Sequence, residues 1–127
     1  MGLVTQHHEW ADEHQPAAAT QATISRAADA GGRHVAKSVT VSVCGAAAES
    51  GIVTFVLRDG ATGAGTILWS CKLRAPINDS KTIALPMNAI GTKNTAMTLE
   101  STGAGAAGSE LTVALTGYTE KENYVGV

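Results

Sequence analysis

Residues 52–73 constrain the fold more than any other part of the chain, because they spell out a β-hairpin. Apolar residues alternate with smaller or more polar neighbours on both sides of a central turn, which is typical of two half-buried strands. The Asp59-Gly60 pair supplies a position that tolerates positive φ, as a hairpin turn needs. The alternating inward positions are Val53, Phe55, Leu57, Ile67, Trp69, Cys71 and Leu73.

The same short alternating runs recur from residue 20 to residue 117, separated by glycine-rich turns. A single apolar face on nearly every run predicts antiparallel sheets packed face to face. The predicted fold is therefore an all-β antiparallel sandwich, and a jelly roll if an eighth strand lies near residues 86–90. Apart from this possible eighth strand, the candidate strands are seven, the two of the hairpin included, and they cover residues 20–27, 34–44, 52–58, 65–74, 81–85, 96–100 and 110–117.

The first 19 residues differ from the rest, since they are rich in histidine and acidic residues and end in a proline and an alanine run. This composition predicts an extended N-terminal arm over residues 1–19 and a sandwich domain over residues 20–127. The arm is predicted to bind a partner through His7, His8, Trp10 and His14, with Trp10 as an aromatic anchor. A metal site there is the alternative, but nothing fixes the geometry of its ligands.

Composition argues against several partner classes. The net charge is −2 and charged residues make up 16% of the chain, so a basic surface for nucleic acid is not expected. No run approaches the roughly 18 apolar residues that span a bilayer. The N-terminus also lacks the pattern of a signal peptide. We therefore expect neither nucleic acid nor membrane as a partner.

Two cysteines, Cys44 and Cys71, allow one disulfide. Counting along the strands places them on opposite faces, although a bulge at Gly45 would reverse that count. We predict two buried free thiols, as is usual for proteins made in a reducing cytoplasm.

Catalytic chemistry is sparse. His34 is the one histidine after residue 14, so a catalytic triad or a metal centre would have to be assembled around it. The glycine-rich run at residues 60–65 joins two strands and lacks the lysine and the following helix of a phosphate-binding loop. We expect no enzymatic activity, no cofactor, no metal and no small-molecule substrate.

Four segments make the sequence resemble small structural proteins of tailed bacteriophages and prophages, of the head-decoration or cement type. They are ATISRAADAGGRHV at 22–35, RDGATGAGTILWS at 58–70, GTKNTAMTLE at 91–100 and SELTVALTGY at 109–118. These are strand and turn motifs, and the resemblance covers residues 20–118.

The resemblance implies a protein made in the host cytoplasm that binds the outer surface of the phage head. Its partners would be the major capsid protein and further copies of itself, as a homotrimer, and it would stabilise contacts between capsid subunits. Two alternatives remain open at this stage. One is a collar, head–tail or tail-associated virion protein. The other is an adhesion module that binds a host glycan or receptor through residues 60–65 or 103–108.

Overall fold

The computed structural model describes residues 2–46, 51–103 and 109–125, and of residues 2–5 and 122–125 it describes the backbone alone. The described chain forms two four-stranded antiparallel sheets, with strand orders β1-β8-β3-β6 and β2-β7-β4-β5. Every connection except the β4–β5 hairpin crosses from one sheet to the other. This is the strand order of a jelly roll, so the predicted sandwich is confirmed. The strands are β1 (Gly2–His14), β2 (Thr23–Arg26), β3 (Gly32–Cys44), β4 (Ile52–Asp59), β5 (Thr66–Arg74), β6 (Ser80–Ile90), β7 (Met97–Ser101) and β8 (Glu110–Val125).

The N-terminal segment is a strand of the sandwich and not a separate arm. Gly2–His14 pairs with β8 along its whole length, from Gly2 opposite Val125 to His14 opposite Val113. The segment is extended, as predicted, but the predicted boundary between an arm and a domain is wrong for these residues. The physical reason is Trp10, which is 7% exposed and belongs to the core. Burial of a side chain of this size favours docking of the strand.

The eighth strand is thus found at the N-terminus and not near residues 86–90. That segment instead continues β6, which runs from Ser80 through Pro86 to Ile90 along the edge of the first sheet. Proline is tolerated on edge strands because the N–H that it lacks is not needed by a second neighbour.

The core lies between the two sheets and is built mainly from aliphatic side chains. Alternating positions of β3, β4 and β8 are almost fully buried, as the sequence pattern predicts. The largest fully buried apolar side chains among the described residues lie on β4, β7 and β8, and they are Phe55, Leu57, Met97, Leu99, Leu111 and Leu115.

The β4–β5 hairpin departs from the predicted pattern at one residue. The register shifts between Leu57, which faces Trp69, and Arg58, which faces Ile67, so Leu68 is the extra residue of a bulge. Trp69 therefore faces the core as predicted. Ile67 is turned outward and is 54% exposed.

Both cysteines are free, as predicted, but their burial differs from the prediction. Cys44 is exposed, because it occupies the outer face at the end of β3. Cys71 is half-buried against the core, and this burial raises the pKa of its thiol.

Gly117 on β8 allows the backbones of β3 and β8 and the ring of Trp10 to approach closely. A Cβ atom at this position would lie 2.2 Å from the carbonyl oxygen of Val35 and 2.8 Å from Cη2 of Trp10. We expect Gly117→Ala to lower the free energy of unfolding by about 1–3 kcal/mol, because a backbone atom cannot move aside cheaply. Urea titration followed by circular dichroism measures this.

Gly103→Ala is the matched control for this substitution. A Cβ atom at Gly103 would meet no atom within 4 Å, so its effect should stay within about 0.5 kcal/mol. Equal losses in the two variants would contradict the close packing at Gly117.

Candidate partner-binding surface on strands β1 and β8

A groove of about 740 Å³ lies on the outer face of the first sheet, where β1 meets β8. The register puts Glu9 opposite Tyr118 and Ala11 opposite Thr116, so these side chains share one face. A bulge between Ala36 and Ser38 in β3 adds Lys37 to the wall. We call this surface the β1–β8 groove, and its lining is His7, Glu9, Trp10, Ala11, Lys37, Thr116, Gly117 and Tyr118.

One end of the groove presents an aromatic and charged cluster. The ring of His7 stacks on Tyr118, with centroids 4.6 Å apart and planes at 21°. Nε2 of His7 lies 3.9 Å from Oε1 of Glu120. Nζ of Lys37 lies 5.9 Å from the centroid of the Tyr118 ring. Aromatic rings with charged neighbours on an open surface suit contact with another protein.

The structure divides the four predicted partner-binding residues into two pairs. His7 and His8 are exposed, and His7 lines the groove, so both stay candidates for partner contact. Trp10 is inserted into the core of its own chain, so the prediction that it anchors a partner is wrong. His14 is half-buried, and its Nδ1 accepts a hydrogen bond of 3.0 Å from the N–H of Thr23. Its role is to join β1 to β2.

Trp10 is held by a buried hydrogen-bond chain that also contains His34. Nε1 of Trp10 donates to Oγ1 of Thr119 at 3.0 Å, and this oxygen lies 2.7 Å from Nδ1 of His34. Nε2 of His34 lies 2.7 Å from the carbonyl oxygen of Ala27. A carbonyl can only accept, so Nε2 carries the proton, and in the neutral imidazole Nδ1 then accepts from the hydroxyl of Thr119. The chain ties β1, β8 and β3 to the segment after β2.

This arrangement assigns a structural role to the one histidine that sequence reasoning offered for catalysis. Both ring nitrogens of His34 are engaged, and the residue is 3% exposed. Within the described ranges, no group of three or more His, Cys, Asp or Glu side chains is placed to hold a metal ion. His34 therefore contributes hydrogen bonds to the fold.

The loop at residues 60–65 is a second candidate surface, and a buried carboxylate fixes it. Oε1 of Glu100 accepts hydrogen bonds from Nε of Arg58 at 2.9 Å and from the N–H of Gly63 at 3.0 Å. Oγ1 of Thr98 donates to the carbonyl oxygen of Gly60 at 2.8 Å. Glu100 is 2% exposed, so the loop is bound to the outer face of the second sheet.

Sequence reasoning identified the loop but missed the residues that hold it. Thr98 and Glu100 alternate with core residues in β7, a pattern that by itself indicates a solvated face. The other predicted loop, residues 103–108, lies outside the described residues except for Gly103, which is exposed.

Neither models of known protein families nor curated proteins gave a match to this chain. The part of the chain that the structure describes contains no helix with the length and apolar character to cross a membrane.

Proposed function

We propose that the chain is a non-enzymatic structural protein of a phage virion, which decorates the outer surface of the head. It would bind the major capsid protein where subunits meet, as a homotrimer, and stabilise the contacts between them. The resemblance of residues 20–118 to head-decoration proteins is the source of the proposal.

The observation that carries the proposal is where the polar side chains lie, in the buried hydrogen-bond chain or at the surface. His34, which could have served catalysis, is buried in a satisfied hydrogen-bond chain, whereas the β1–β8 groove presents aromatic and charged groups at the surface. A rigid sandwich with its polar contacts on an outer face suits adhesion to another surface. This supports a binding protein over an enzyme.

The mechanism is stabilisation by binding. A protein that binds the assembled shell and not its separated subunits shifts the equilibrium toward the shell by mass action. Several copies that each make modest contacts around a symmetry axis add to this effect through multivalency. No cofactor, nucleic acid or small-molecule substrate takes part.

The test is decoration of undecorated heads of the phage that encodes the chain. Purified protein is added to these heads and imaged by cryo-electron microscopy. We expect regular density at the symmetry axes of the capsid, and heads that release DNA at a higher temperature than bare heads. A His7→Ala/Lys37→Ala variant should lower occupancy at limiting protein if the β1–β8 groove makes the contact. Lys93→Ala, on an exposed turn, is the control.

Other outcomes assign the chain elsewhere. Density confined to the portal vertex or the tail would overturn the decoration proposal in favour of a collar or tail protein. An absence of binding to any part of the virion, with binding to the bacterial envelope, would favour the adhesion module.

A further inference from the structure

One side of the sandwich, formed by the edge strands β5 and β6, leaves the core open to solvent. All the half-buried apolar side chains that pack against the described core come from these two strands, which are the outer strands of different sheets. They are Leu68, Trp69, Cys71, Ile83, Met87 and Ala89. Ile67, which is turned outward on β5, and Ile90, at the end of β6, are each 54% exposed and border these side chains. We call this surface the β5–β6 side, and it is apolar enough to mark an interaction site.

The β5–β6 side is also basic. The sequences of β5 and β6 contain Lys72, Arg74 and Lys81 and no acidic residue. Lys72 and Lys81 are exposed. A symmetric contact of this surface with itself would bring like charges together, which is unfavourable.

The opposite edge of the first sheet, strand β1, has the complementary charge. Its sequence contains Glu9, Asp12 and Glu13 and no lysine or arginine. Asp12 is paired with Arg26 at 3.2 Å, whereas Glu9 and Glu13 are exposed. The β1–β8 groove lies beside this edge and offers a concave surface.

The β5–β6 side and the β1 edge cannot contact each other within one molecule. β1 and β6 are the two outer strands of the same sheet, so they lie on opposite sides of the sandwich. Pro86 in β6 has no N–H to offer an added strand, and prolines on edge strands oppose strand pairing. Contact would therefore use side chains and not an extended sheet.

We propose that the occupant of the β5–β6 side is a second copy of this chain, docked through its β1 edge and β1–β8 groove. The contact is head-to-tail, because two different surfaces meet. Repetition of such a contact closes into a ring when the rotation between copies allows it. The apolar side chains supply buried area, and the opposite charges supply orientation. The inference is argued from the described surfaces, and it deepens the homotrimer of the proposed function by naming the two surfaces through which copies meet.

The test measures molar mass by light scattering over a range of protein concentrations at low salt. The unmodified chain should associate. Lys72→Glu/Lys81→Glu and Glu9→Lys/Glu13→Lys should each weaken association at least tenfold. The variant with all four changes should regain it, because both surfaces are then reversed. Lys93→Glu, on an exposed turn outside both surfaces, is the matched control and should leave association unchanged. Circular dichroism confirms that each variant is folded.

Three results would overturn the head-to-tail contact. The first is an unmodified chain that stays monomeric at every concentration. The second is a loss of association in Lys72→Glu/Lys81→Glu but not in Glu9→Lys/Glu13→Lys. The third is a four-site variant that does not reassociate. A chain that is monomeric in solution and still decorates phage heads would overturn this inference and the trimeric state, and would leave head decoration itself standing. A ring that binds no part of the virion would overturn the proposed function alone.

Discussion

Replacing Trp10 with alanine is expected to lower the free energy of unfolding by about 3–5 kcal/mol. The indole is 7% exposed, packs against the backbone at Gly117 and meets His34 edge-on, with centroids 6.0 Å apart. Its removal leaves a cavity between β1 and β8. It also deprives the Thr119 hydroxyl of its buried donor. The change thus combines lost apolar burial with a broken polar network.

The measurement is urea unfolding followed by circular dichroism, at one fixed protein concentration because association would add to apparent stability. His8→Ala is the control, since His8 lies on the same strand and is exposed. Its effect should stay within about 0.5 kcal/mol. Should the two variants unfold at the same urea concentration, β1 would be a loosely attached arm and not a core strand.

Strand β1 is the element whose pairing in the sandwich the sequence pattern did not predict. Two adjacent histidines and three acidic residues obscure the alternation that marks a half-buried strand. What docks the strand is a set of partners far along the chain: the hydroxyl of Thr119 is 109 residues from Trp10. No local pattern can report a contact at that separation.

The β4–β5 hairpin shows the opposite case. Its two strands and the loop between them follow from local alternation and from glycine, because neighbouring residues decide them. Gly63 and Gly65 adopt positive φ of 73° and 88° in that loop. The bulge at Leu68 was not predictable. The residues on either side of Leu68 are also apolar, so the sequence is compatible with the strand register both with and without one extra residue.

The candidate surface was predictable to a smaller extent than the fold. His7 was singled out, but its neighbours Tyr118 and Lys37 belong to strands whose order the sequence does not reveal. The charge of β1 is visible in the sequence. Its placement opposite the basic β5–β6 side depends on the sheet order, so the complementarity emerges from the structure alone.

The second large effect is expected at Arg58, whose replacement by methionine should lower the free energy of unfolding by about 3 kcal/mol. Arg58 is the cation beside Glu100, and the exposed fractions of the two side chains are 16% and 2%. Oε2 of Glu100 has no hydrogen-bond partner among the described residues, so the carboxylate depends on its contacts through Oε1. Without Arg58, the buried carboxylate of Glu100 would lose this cation and would retain the hydrogen bond from the N–H of Gly63.

A second substitution separates the buried charge from the lost packing. Glu100→Gln removes the charge and keeps an oxygen that can accept from Gly63, so the double variant Arg58→Met/Glu100→Gln should regain about 1–3 kcal/mol over Arg58→Met. Lys121→Met is the matched control, because its partner Asp29 is 44% exposed and such pairs contribute little. A double variant no more stable than Arg58→Met would mean that lost packing, and not the uncompensated carboxylate, causes the loss. The loop at residues 60–65 would then be held by Thr98 and not by the ion pair.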